Sequence, residues 1–123
     1  MFTPVISVAL GGAIGAVARF MTAQAVVRFV GVGFPLGTLV VNVIGSFLMG
    51  VAFVWLAQNA KLSPLFMTGV LGGFTTFSAF SLDAYSLYER GEALLAAVYI
   101  FGSVVLSIAA LVAGIAFARG LSA

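Results

Sequence analysis

The chain has no cysteine and no histidine, and only three acidic and five basic residues among 123. The first two absences remove disulfides, thiol nucleophiles, soft-metal sites and the side chain whose ordinary pKa lies near neutrality. The scarcity of charge excludes more. Charged residues make up 7% of the chain and hydrophobic ones 63%, whereas soluble domains carry about 25% charge. The basic residues stand singly, which leaves no patch for a nucleic acid. The carboxylates Asp83, Glu89 and Glu92 all come late, so the early part of the chain holds no buried acid that could bind a proton or an organic cation. Without paired acids, a general base or a metal cluster has no source, and an enzyme is not expected.

What remains is long uncharged sequence. Runs from Phe2 to Ala18, Phe29 to Ala60, Leu62 to Leu82 and Ala93 to Ala118 lack any charge, and about 20 apolar residues suffice to cross a bilayer. The first run lacks the positive flank of a secretory signal and reads as a span. Thr3-Pro4 and Ser63-Pro64 read as N-caps followed by proline at the first helical position. Gly31, Gly33 and Pro35 mark a loop. The expected architecture is an all-α membrane protein, one domain over residues 1–123, with helices at 4–27, 36–57, 64–88 and 93–118. Four crossings place Lys61 and Arg119 at one end and Arg28 and Arg90 at the other. That balance gives the positive-inside rule almost nothing to act on. Insertion in both orientations, with antiparallel pairing of identical chains, is therefore expected.

Polar residues are placed in rows. Thr38, Asn42 and Ser46 recur every four residues, as do Tyr99, Ser103 and Ser107, and Gly11, Gly15 and Arg19 form a third row. Such spacing puts each row on one helix face. Lipid satisfies none of these groups, so the faces turn to protein or to a watery path. Each row has a plainer reading. A hydroxyl can bond back to its own helix, Asn42 can bridge two helices, the glycines can serve close packing, and Arg19 can snorkel to an interface or line a vestibule. Two independent hydroxyl stripes together suggest a conduit lined by neutral donors. Four helices alone leave little room for one, so a conduit needs at least two chains.

The third span contains "GGFTTFSAF", Gly72 to Phe80. Two glycines cost about 1 kcal/mol each in helix propensity, and Thr75, Thr76 and Ser78 compete for backbone bonds. A break near 72–76 is expected. Carbonyls freed there could coordinate a cation. Phe77 and Phe80 share a face just beyond it. Their positive ring edges could meet a small anion, or the rings could simply pack.

Gly11-Gly12-x-x-Gly15-x-x-x-Arg19, then Gly37-Thr38-Leu39-x-x-Asn42-x-x-Gly45-Ser46-Phe47-x-x-Gly50, then Gly69-x-x-Gly72-Gly73-Phe74-Thr75-Thr76-Phe77-Ser78 resemble the Fluc/CrcB family of bacterial fluoride channels, in order through the chain. The resemblance implies an antiparallel homodimer with two fluoride pores along the subunit interface. It implies that Asn42, Phe77 and Phe80 contact fluoride, that Thr38, Tyr99, Ser103 and Ser107 line the pore, and that carbonyls of Gly72 and Thr75 from both chains hold a central structural sodium ion. Arg19 matches a first-helix arginine of vestibular or structural role. Ala79 stands where the family commonly has threonine, and Asp83 where it commonly has glutamate. The expected function is passive, fluoride-selective export across a bacterial inner membrane. A small dual-topology multidrug-type exporter would need a buried acid early in the chain; a non-conducting membrane subunit is the third alternative.

Overall fold

The computed structural model describes residues 2–31 and 33–122. All its regular structure is helical. Helix α1 spans Phe2–Val30 and α2 spans Leu36–Trp55. A wide-turned π-helical segment, Pro64–Leu71, runs into a single α-turn, α3, at Gly72–Phe74. Helix α4 spans Phe77–Glu89 and α5 spans Ala93–Ser122. Among the described residues four stretches, 3–30, 36–55, 64–89 and 93–121, are long and apolar enough to cross a membrane, the third bent where it is interrupted. The chain is a multi-pass membrane protein.

Helix ends differ in detail from the sequence expectation. Helix α1 continues to Val30 because no breaker occurs before Gly31, whose φ of +86° favours glycine. Helix α5 continues to Ser122, since Gly120 alone does not stop a helix whose other residues are good formers. Neither proposed N-cap is one. Thr3 already lies inside α1. Ser63 has helical dihedrals, because the Phe66 N–H already donates to the Leu62 carbonyl one position earlier.

Two glycine seams set the packing. Along the first, α1 lies against the π segment and α3. A Cβ on Gly11 would approach the Gly69 Cα to 2.9 Å, and one on Gly73 would approach the Gly12 oxygen to 2.7 Å. Along the second, a Cβ on Gly50 would lie 2.9 Å from the Ile115 nitrogen, and one on Gly114 3.2 Å from the Val51 nitrogen. Lipid offers no hydrophobic drive for helix association, so close backbone approach and dispersion hold such seams. Helix α4 packs on α5 differently, around the buried side chains Phe80, Ala84, Leu87, Ala96 and Tyr99, with Phe34 and Leu39 against them.

Candidate functional site

The interruption falls later than the glycines. Gly72 and Gly73 are helical, and the chain leaves the helix at Thr75 (φ −86°, ψ 159°) and Thr76 (φ −152°, ψ 124°). Gly73 serves the seam with α1, Gly72 is exposed, and the break is built by Asn42 of α2. Its Oδ1 accepts from the Thr76 N–H at 2.7 Å, and its Nδ2 donates to the Thr76 carbonyl at 2.9 Å. The amide thus occupies the backbone groups a continuous helix would have used. The Thr76 hydroxyl, accepting from the Ala79 N–H at 3.1 Å, then caps α4.

Backbone polar groups at membrane depth need partners, so each carbonyl freed by the break can be followed. Leu71 accepts from both the N–H and the hydroxyl of Thr75, each at 3.0 Å. Gly73 accepts from Arg19 Nε at 3.1 Å, and Thr76 accepts from Asn42. The carbonyls of Gly72, Phe74 and Thr75 receive no side-chain or loop hydrogen bond among the described residues. Uncharged carbonyl oxygens at a helix break are a donor type that a hard monovalent cation takes, and two of these three, Gly72 and Thr75, are the ones that the resemblance implies.

On the other side of the break lies a cavity of about 390 Å³ between α2, the break and α5. Asn42, Ser46, Thr75, Thr76, Ser103 and Ser107 supply its polar wall, and Phe77, Phe80, Met49 and Leu111 are among its apolar lining. No charged side chain lines it. Ser103 is buried and its hydroxyl has no partner, an expensive arrangement unless something in the cavity accepts from it. The rings of Phe77 and Phe80 stand 5.4 Å apart, tilted by 50°. They are unequal: Phe80 is 8% exposed and Phe77 76%. The cavity is open on the Phe77 side.

Of the residues singled out from sequence, Asn42, Thr75, Phe77, Phe80, Ser103 and Ser107 meet around this cavity, whereas Thr38 and Tyr99 are absent from its lining. Those two converge on Asp83. Thr38 Oγ1 donates to its Oδ2 at 2.6 Å and Tyr99 OH to the same oxygen at 3.2 Å. Tyr99 is 1% exposed and packed between Phe34, edge-on at 5.5 Å, and Phe80, tilted by 38° at 5.3 Å. Arg19 reaches the break from the α1 side. Gly72 lines the cavity nowhere and is exposed on the remaining face. The α2 stripe had already put Ser46 beside Asn42; sequence reasoning gave no such role to Thr76, the cap, or to Asp83, the acceptor for two helices. Asp83 could have been found as the one carboxylate placed inside a span.

The family model described as "CrcB-like protein, Camphor Resistance (CrcB)" matches residues 6–115. A fluoride-specific ion channel FluC of Cereibacter sphaeroides is 58% identical over 121 residues, covering 98% of each chain. One from a Ruegeria species is 57% identical over 125 residues, covering 98% of each. One from Rhizobium johnstonii is 53% identical over 121 residues, covering 95% of this chain and 97% of that one.

Proposed function

This chain belongs to the CrcB family, and from that premise we propose that it forms a passive, fluoride-selective ion channel in a bacterial inner membrane. It is a transport protein and not an enzyme. The observation that carries the proposal is the cavity wall: amide, hydroxyl and phenyl groups without a single charge, one hydroxyl of which, Ser103, has no partner among the described residues. Fluoride holds its water tightly. A narrow path must replace that water with donors, and a fixed positive charge among them would trap the ion. Asn42 is committed to Thr76 and so holds the path's wall in place. Ser103 and Ser107 then offer hydroxyls to the path, and the rings of Phe77 and Phe80, whose edges carry partial positive charge, would complete it. An anion moves outward from a negative interior by about 2.3 kcal/mol per 100 mV, so no coupling group is required.

The open side of the cavity at Phe77 is closed, in this reading, by a second copy running antiparallel, giving two paths along the interface. The unpaired Gly72 and Thr75 carbonyls of both copies would hold a sodium ion there, supplying positive charge that fixes the two breaks against each other. Efflux from fluoride-loaded liposomes containing only this protein tests the channel. Fluoride release without chloride release is expected. No release from folded protein would favour a non-conducting subunit, and proton-driven export of cationic drugs would favour an exporter. Exchange of sodium for a large organic cation, followed by dimer integrity, tests the ion.

A further inference from the structure

A second groove, of about 410 Å³, lies at the opposite end of α2 from its first residue, between the last turn of that helix and the start of the π segment. Phe53, Leu56, Ala57, Ala60, Pro64 and Met67 line it, with Ser63 as the polar member. It is remote from the break and none of its residues lines the cavity described above. Two features place it at the membrane boundary. Trp55, 53% exposed, sits between lining residues Phe53 and Leu56, and tryptophan concentrates at the headgroup level. Just beyond, the loop carries Gln58, Asn59 and Lys61.

The charges at the two ends of the molecule are unlike. All three carboxylates belong to α4 or the turn after it, where Arg90 pairs with Glu92 at 3.7 Å. The end with the groove holds the basic side chains Lys61 and Arg119 and no acidic side chain among the described residues. Lys61 is exposed and makes no ion pair among them. The Ser63 hydroxyl next to it donates only to the Met67 sulfur, at 3.4 Å, a weak acceptor that a phosphate oxygen would outcompete.

We propose that this groove is a binding site for an anionic phospholipid, one acyl chain lying along Phe53, Leu56, Ala57, Ala60 and Met67 and the phosphate meeting Lys61 and Ser63. An acyl chain gains little by leaving one apolar medium for another, so the groove confers position and the charge confers selection. One lysine near an anionic headgroup corresponds to about a fivefold preference, the equivalent of about 1 kcal/mol.

Trp55 is the only tryptophan and belongs to the helical turn that supplies Phe53 and Leu56 to the groove, which makes its fluorescence the readout. The full chain is reconstituted in phosphatidylcholine vesicles containing a small, equal fraction of either dibrominated phosphatidylglycerol or dibrominated phosphatidylcholine. The brominated anionic lipid should quench Trp55 as though enriched about fivefold over the neutral one. Lys61→Gln should equalise the two lipids and Lys61→Arg should keep the preference. Ala60→Leu, which fills the groove with Lys61 intact, should also abolish it. In the unsubstituted protein, 1 M salt, where screening acts within about 3 Å, should do the same. Equal quenching by both lipids in the unsubstituted protein overturns the site, as does weak quenching by either, which would mean that protein covers the groove. A preference that survives Lys61→Gln or Ala60→Leu overturns it too, since the lipid would then be held elsewhere.

Discussion

The third span is held by two unlike kinds of interaction on either side of its break. Before Thr75, the π segment and α3 lie backbone to backbone against α1, through Gly11, Gly15, Gly69 and Gly73. After Thr76, α4 is held by side chains: the Asn42 clamp, the Thr38–Asp83–Tyr99 hydrogen bonds and the Phe80–Tyr99 stack. A glycine seam has no spare volume and no adjustable partner. A side-chain seam can exchange partners, and it is on that side that the open cavity and its free hydroxyl lie. The first half is an anchor that fixes where the break stands, and the second presents chemistry.

The widest gap between the halves should come from added volume. A Cβ on Gly15 would lie 2.8 Å from the Phe74 nitrogen, whereas one on Gly12 meets nothing within 4 Å. Gly15→Leu should therefore cost about 3 kcal/mol or more, enough to abolish folded protein, because neither backbone can yield. Gly12→Ala, one turn-face away, should be neutral or raise stability by up to about 1 kcal/mol. Thermal unfolding in detergent, followed by circular dichroism, reads both. Equal behaviour of the two variants would show that the seam is not backbone to backbone.

On the chemical side, function should fall whether or not stability does. Asn42→Ala strands the Thr76 N–H and costs about 2 kcal/mol, yet fluoride flux should fall at least about tenfold, the equivalent of about 1.4 kcal/mol at the transition state, while dimers persist on a sizing column. The two phenylalanines should separate the effects. Phe77→Ile, at a ring 76% exposed in the single chain, should reduce flux with little change in melting; Phe80→Ile, at a ring 8% exposed and stacked on Tyr99, should reduce both. Unchanged flux in Asn42→Ala and Phe77→Ile would remove these residues from the ion's path.

Arg19 belongs to the anchoring half yet makes a hydrogen bond across to the break. Arg19→Gln should lower stability by about 1 kcal/mol through the Gly73 carbonyl it leaves unmatched, with a smaller loss of flux than Asn42→Ala. A loss of flux as large as that of Asn42→Ala, with melting unchanged, would move Arg19 from the anchor to the path.

The contrast between the halves also explains what was legible in the sequence. The four spans could be read because apolar length is a local property. Asn42, Ser103 and Ser107 could be placed on faces because a helix has one period. The glycines of "GGFTT" were legible as unusual, but Gly73 was not legible as a seam residue, since helix propensity is local and its contact with Gly12 of α1 is not. Hence the break, expected near 72–76, could not be placed more finely; it stands at the far end of that range, Thr75–Thr76, where a side chain of another helix competes for the backbone. Asp83 was seen as a family position and not as the acceptor that joins α2, α4 and α5, because no single helix shows which of its neighbours carries a free hydroxyl.

The smallest effect concerns Ala79, one of the two positions at which the resemblance implies a different residue. Ala79 is half-buried in the first turn of α4, and its N–H donates to the Thr76 hydroxyl. A threonine there would have two choices for its hydroxyl. It could bond back to the Thr75 carbonyl four residues earlier, an oxygen left without a donor, or turn away from its own helix toward the ring of Phe80 and the proposed path of the ion. The first choice would set it in competition with a cation; the second would add a donor. Either should change stability by no more than about 0.5 kcal/mol, so Ala79→Thr should alter flux by about twofold at most. Sodium dependence distinguishes the choices. If dimers of Ala79→Thr need more sodium than the unsubstituted chain, the hydroxyl has taken the Thr75 carbonyl. If flux rises with sodium dependence unchanged, it has joined the path. If neither changes, the alanine is a neutral replacement and the side-chain half has tolerated the loss of a hydroxyl that the glycine seam, given one added methyl, could not match.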